Sequence, residues 1–286
     1  FVFGALSSWF GGTGAMGAMR ESLISQNDWL VATATAREVV PQVWLDVGTS
    51  WRSLTSWDVE SNVTLVVVGV DALRSNLDDA RQAASSRFIR VEGACATTGG
   101  GNLTFFEHAS PTCGSLLATV PGGPRLGVGV DACTGDVPRR VSVPSFRFVK
   151  LLRRIRALGI FRVELLKLDI QGSELDCLES AKPELAMIDN ILLEVQDVRG
   201  PSPLQMYEGS ASLLEIDPFL ERRGFRMQYC EWNRWGKSVR EMNCLFTRTT
   251  GQPVWMWTTA NSRHKQSMVS YGLERPRHID FVHTLW

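Results

Sequence analysis

The octapeptide Lys167-Leu168-Asp169-Ile170-Gln171-Gly172-Ser173-Glu174 gathers three charged groups at the end of an apolar run, Val163 to Ile170. Lys167 and Asp169 alternate with apolar residues in a strand otherwise too apolar to be exposed. Burying two charges is costly unless they are paired or used. Two readings follow. One is an ion pair, with Glu174 complementing the dipole of the next helix. The other is a polar site. Three more positions suit a site. Asp46-Val47-Gly48-Thr49-Ser50 ends the first apolar run, where Gly48 permits a tight turn and close approach to a ligand. Asp71 ends the second run, where a carboxylate can accept both hydroxyls of a ribose or can simply cap a helix. Glu194 lies in Ile191-Leu192-Leu193-Glu194-Val195-Gln196, another buried strand.

These positions need a scaffold that brings strand ends together. Apolar runs recur at Val43–Val47, Val63–Val70, Phe88–Val91, Val163–Ile170 and Asn190–Val195. They are rich in β-branched residues and lack strict alternation, which predicts strands buried on both faces. Helical patterns lie between them, at Asn76–Ser85, Ser145–Leu158, Ser173–Ser180 and Ala211–Arg223. In Ser145–Leu158, Phe146, Val149, Leu152 and Ile155 form one face, and Lys150, Arg153, Arg154 and Arg156 read as a solvated face. Strands alternating with helices predict an α/β fold with a mostly parallel sheet and helices on both faces. Phe225–Cys230 and Glu241–Arg248 read instead as an antiparallel hairpin turned at Asn233–Gly236. In such sheets ligands bind beyond the carboxyl ends of the strands, where all of the positions above lie.

Composition narrows the function. The 286 residues are 44% hydrophobic and 21% charged, which is globular. Thirty Lys+Arg balance thirty Asp+Glu, which argues against a protein built mainly for nucleic acid or an anionic membrane. Six cysteines lie far apart with no CxxC pair. That argues against structural zinc, and six is few for a disulfide scaffold of this length. No metal cluster is visible; acids on separate strands such as Asp169 and Glu194 give no spacing signature, so no metal ligand is assigned.

The order of DVGTS, VVVGVDAL, KLDIQGSE and LLEVQ, followed by Gly224-Phe225 and a closing MNCLFTR strand, resembles the FkbM-type methyltransferases over residues 41 to 250. KLDIQGSE is the most specific part, meeting every fixed position of Lys-x-Asp-[Ile/Val]-[Glu/Gln]-Gly-x-Glu. Gly93-Ala94-Cys95-Ala96, the Gly-rich turn after it and Leu103–Phe106 are similar to the family's third strand and β-turn-β insertion. The resemblance implies the seven-stranded class I methyltransferase (Rossmann-like) sheet with its C-terminal antiparallel hairpin. It also implies S-adenosylmethionine (SAM) as cofactor and O-methylation of a hydroxyl on a small molecule or glycan. By the same resemblance Asp46 and Gly48 would line the methionine end of SAM, Thr49 and Ser50 would also bind the cofactor, and Asp71 would hold the ribose. Asp169 would face the SAM amine or the methyl acceptor, with Lys167 beside it, and is the first candidate to accept from the acceptor hydroxyl; Glu174 and Glu194 would shape the acceptor side. The loop departs from the family pattern at Ser50, where Asn is common, and at Arg52, where Gly is common. Asp71 stands where Glu is more frequent.

The resulting layout is an N-terminal extension (1–40), a methyltransferase domain (41–250) and a C-terminal tail (251–286). Competing readings are an inert SAM-binding or interaction protein on the same fold, motivated by the altered glycine loop, and a NAD-dependent dehydrogenase. No G-x-G-x-x-G follows the first strand, which disfavours the dehydrogenase. The chain starts at Phe1 and is uncharged to Met19, so a truncated signal anchor is one reading and a loosely packed terminus the preferred one. Localisation is cytoplasmic by default, or secretory or membrane-associated if that anchor is real. His108 is a distant second candidate for the base and is expected on the surface. Asn62-Val63-Thr64 and Asn102-Leu103-Thr104 match the N-glycosylation pattern, which arises often by chance. Trp232, Trp235, Trp255 and Trp257 are expected to cover a sheet edge.

Overall fold

A computed structural model describes residues 42–49, 64–80, 85–120, 133, 137–196, 206–232 and 241–250. The N-terminal extension, the C-terminal tail, Ser50–Arg52, Asn62, the turn at Asn233–Gly236 and the tryptophans at 235, 255 and 257 lie outside these residues.

Ten strands and four α-helices are present among the described residues. The strands are β1 (Gln42–Val47), β2 (Leu65–Asp71), β3 (Phe88–Glu92), β4 (Ala94–Cys95), β5 (Asn102–Glu107), β6 (Arg139–Phe146), β7 (Val163–Leu168), β8 (Ile188–Gln196), β9 (Phe225–Trp232) and β10 (Glu241–Arg248). The helices are α1 (Arg74–Asp79), α2 (Phe148–Ala157), α3 (Glu174–Ser180) and α4 (Leu213–Glu221). Seven strands form the main sheet in the order β3-β2-β1-β7-β8-β10-β9. β1, β2, β3, β7 and β8 pair in parallel, and β10 runs antiparallel to both β8 and β9. The order reverses between β1 and β7, and a crevice at such a reversal is where α/β sheets take ligands. This is the arrangement that the resemblance implied.

Every residue of β2 is buried, which explains its unbroken apolar run. Val66, Val68 and Val70 face one core with Leu45, Leu166 and Ile191, covered by Phe148, Leu151 and Leu152 of α2, Leu178 of α3 and Ile216 of α4. Leu65 and Val67 face the other core with Trp44, Phe88, Leu165, Leu192 and Leu245, where Ala80, just beyond α1, also packs. With both faces dry, alternation has no reason to appear.

Local differences from the sequence reading have physical causes. The helix expected from Ser145 begins at Phe148, because Ser145 and Phe146 pair with Ala94 and Cys95 as the end of β6. β4, β6 and β5 form a separate three-stranded sheet. The basic face of α2 is not simply solvated. Arg153 and Arg156 reach the largely buried carboxylate of Glu184 at 3.1 and 2.7 Å. α1 is shorter than expected and starts at Arg74. His108 is 5% exposed, just past β5, so the surface expectation is corrected.

The structure supplies the cysteine pairing that the sequence left open. All six cysteines pair, as Cys95–Cys177, Cys113–Cys133 and Cys230–Cys244. Cys230 and Cys244 are direct cross-strand partners of β9 and β10. Cys95–Cys177 ties the small sheet to α3 across 82 residues of chain. Among the described residues, no helix is long and apolar enough to cross a membrane.

Candidate active site

The carboxyl ends of β1 and β7 meet at the reversal of strand order. Their register sets Asp46 beside Lys167. Lys167 Nζ lies 3.2 Å from Asp46 Oδ1 and 3.3 Å from Asp169 Oδ2, and it donates to the Gly48 carbonyl at 3.4 Å. The Lys167 side chain is 5% exposed and that of Asp46 is 0% exposed, whereas Asp169 is 32% exposed. Burial works against the Lys167 charge, but the Asp46 and Asp169 carboxylates outweigh it and hold the ammonium above its ordinary range. The sequence left ion pair and site as alternatives. The geometry combines them: Asp46 is the buried counter-ion, and Asp169 is the partner that solvent reaches.

Gly48 makes this junction possible. Its φ is +81°, and a Cβ built there would sit 1.7 Å from the Asp169 carbonyl oxygen. The close approach needing glycine is therefore to the neighbouring strand end. The amides of Gly48 and Thr49 both donate to the Val70 carbonyl, at 2.8 and 3.1 Å. The buried Thr49 hydroxyl donates to the Asp46 carbonyl at 2.6 Å. Ser50, the last member of that expected set, lies outside the described residues.

After β7 the chain turns through Gln171, at φ 56°, and Gly172, at φ 100°. The strained Gln171 places its amide between two acids, donating from Nε2 to Asp169 Oδ1 at 3.0 Å and to Glu194 Oε2 at 2.7 Å. Its Oε1 accepts from the buried Tyr207 hydroxyl at 2.9 Å, which also lies 3.1 Å from the Cys113 carbonyl. Burial raises the Glu194 carboxyl well above the carboxylate range, helped by the charges of Asp169 and Glu241. A proton on Glu194 lets it donate to Asp169. Burial also pushes Asp169 upward, but the Lys167 charge and hydrogen bonds from Glu194, Gln171 and Lys167 prevail and lower it. Asp169 is thus an ionised, partly exposed carboxylate fixed from three directions.

Glu174 is oriented differently from the expectation. Its buried carboxylate accepts from the amides of Ile170 and Gly172 at 3.0 and 3.2 Å, so it clamps the turn rather than shaping the acceptor side. Burial raises it to about 7 against those amide bonds. Asp71, at the end of β2, accepts from the Leu73 amide at 2.8 Å and the Asn76 side chain at 3.0 Å, both through Oδ1. Burial raises it to about 7, opposed by those two hydrogen bonds.

The family described as "Methyltransferase FkbM domain" matches residues 68–227, more than half of the chain. The chain belongs to the FkbM methyltransferase family. It is therefore a methyltransferase of the SAM-dependent kind that its motif order resembles, and the dehydrogenase reading falls. No curated protein matches the chain. Solved structures similar to it include the Burkholderia thailandensis 1,6-didemethyltoxoflavin-N1-methyltransferase, at 12% identity, covering 82% of this chain and 81% of that one, with a TM-score of 0.38. A putative O-methyltransferase from Nostoc punctiforme is 13% identical, covering 82% and 58%, with a TM-score of 0.39. The acceptors of those proteins are theirs alone.

In this FkbM methyltransferase, Asp71 stands at the carboxyl end of β2. Its Oδ1 is engaged by the Leu73 amide and the Asn76 side chain. Lys167, Asp169 and Glu194 are brought together, whereas His108 makes none of the bonds at Asp169 described above. Sequence reasoning missed Gln171, Tyr207 and Glu241 as members of this cluster. Gln171 stood inside the quoted motif, and its position before Gly172 was the available signal. Tyr207 carried none, because it arrives from a segment 36 residues further along the chain.

Proposed function

We propose that this methyltransferase transfers the methyl group of SAM to a hydroxyl of a small molecule or glycan. The observation that supports this reading is the Asp169 carboxylate, ionised and 32% exposed at the strand-order reversal, held by Lys167, Gln171 and Glu194. SAM, when bound, supplies an electrophilic sulfonium methyl. Asp169 receives the hydrogen bond of the acceptor hydroxyl and orients its oxygen for in-line attack. A carboxylate lowered below its ordinary range is a weak base, so orientation comes first and proton removal accompanies bond formation. Neutral Glu194 keeps a second negative charge away from Asp169. The buried Lys167 fixes where that carboxylate points.

The test is transfer of labelled methyl from SAM to a panel of hydroxyl, amine and carboxylate acceptors. A methyl ether product is expected. A product methylated only on nitrogen contradicts the hydroxyl assignment.

Asp71 is assigned to the ribose, and this makes affinity pH-dependent. Its carboxyl titrates at about 7 in the folded chain. The charged acceptor is present above that pH and lost below it. SAM affinity is expected to fall about tenfold from about pH 8 to about pH 6, and Asp71→Asn to flatten the profile. An equal slope in both proteins contradicts the assignment.

We also assign the protein to an oxidising compartment, since all six cysteines are paired and such pairs are rare in reducing cytosol. This replaces the cytoplasmic default.

A further inference from the structure

We propose that Asn102 is an N-glycosylation site, an inference that rests on the oxidising-compartment reading above. The sequence alone could not separate Asn102-Leu103-Thr104 from chance. The fold adds three observations. Asn102 and Thr104 are both exposed, and they stand two apart on β5, so they share one face of the strand. Among the described residues β5 is the edge of the small sheet.

The third observation is the chemistry of the surroundings. The small sheet that carries Asn102 is joined to α3 by Cys95–Cys177, and Cys113–Cys133 lies just beyond β5. Disulfides and N-glycans form in the same secretory lumen. In the modification, the anomeric carbon of a lipid-linked oligosaccharide pyrophosphate breaks its bond to the phosphate oxygen and bonds Asn102 Nδ2. The amide proton leaves to the transferring enzyme's base, and the lipid pyrophosphate departs.

The glycan also has a structural use. Phe106, at the far end of β5, exchanges both backbone hydrogen bonds with Ser115 at 2.8 and 3.1 Å. The near end, around Asn102, pairs with β6 at Pro144 on its inner side. A sugar there covers an outer edge that would otherwise offer a template to another strand.

The test is peptide mapping of the protein isolated from its native cells. Free thiols are alkylated before reduction, and N-glycosidase is applied in ¹⁸O water. The expected result is an Asn102 peptide converted to labelled Asp, with no alkylated cysteine. The same chain expressed through a eukaryotic secretory route loses the label completely at this peptide on Thr104→Ala and keeps it on Thr104→Ser. Disulfide-bonded protein with unmodified Asn102 overturns the glycan while leaving the compartment standing. Alkylated cysteines overturn the compartment reading and the glycan with it.

Discussion

Asp169→Asn is expected to lower kcat by about 100-fold or more at saturating SAM and acceptor, the usual contribution of a positioned acid–base group. The substitution keeps the shape of the side chain and removes its charge. Lys167 retains Asp46, 3.2 Å away, so the scaffold keeps its ion pair. The loss therefore falls on the reaction rather than on folding. Glu194→Gln supplies the control. Glu194 is held neutral by burial and by the charges of Asp169 and Glu241, so an amide of equal size still donates to Asp169. Its effect on kcat is expected to be far smaller. A kcat for Asp169→Asn within about threefold of wild type would remove Asp169 from the chemistry, since the role assigned to it contributes far more than that.

Lys167→Met is expected to be the most damaging single change to stability, costing about 3–5 kcal/mol, as for other buried pairs that lose one partner. Methionine fills much of the lysine volume but leaves Asp46, with 0% of its side chain exposed, beside no cation at β7. The Gly48 carbonyl loses its 3.4 Å donor as well. Because Asp46 and Lys167 are register partners of β1 and β7, the damage reaches the sheet junction itself. Denaturant unfolding measures it. A loss below about 1 kcal/mol would mean that the ion pair is not what holds the strand ends, since exposed pairs are worth that little.

The fold was legible because its signals are local. β2 announces itself through seven consecutive buried residues, and the antiparallel end of the sheet through two strand patterns with a turn between them. The strand-end positions of Asp46, Asp71, Asp169 and Glu194 followed from those runs. What stayed hidden depends on residues distant in sequence. Cys95 and Cys177 give no hint of each other across 82 residues. Tyr207 reaches Gln171 only through the folded chain. The start of α2 was misplaced because Ser145 and Phe146 fit a helical period, yet a strand partner at Ala94–Cys95 claimed them. Glu174 was placed on the right turn, but the direction of its carboxylate depends on the amides of Ile170 and Gly172, which no spacing reveals.

The same locality explains the double role of the KLDIQGSE segment. Lys167 and Glu174 are buried and hold the strand end and the turn, Gln171 bridges two acids, and Asp169 is the charged group of the segment that stays partly exposed. Three of the four side chains are thus structural supports for one reachable carboxylate.

The central claim is SAM binding at the ends of β1 and β2, and calorimetric titration of the oxidised full chain with SAM tests it most directly, with NAD as the control. At a pH above the Asp71 titration near 7, one SAM per chain is expected, with affinity weakened by Asp71→Ala and no heat from NAD. No heat from SAM, or an affinity indifferent to Asp71→Ala, would contradict the account.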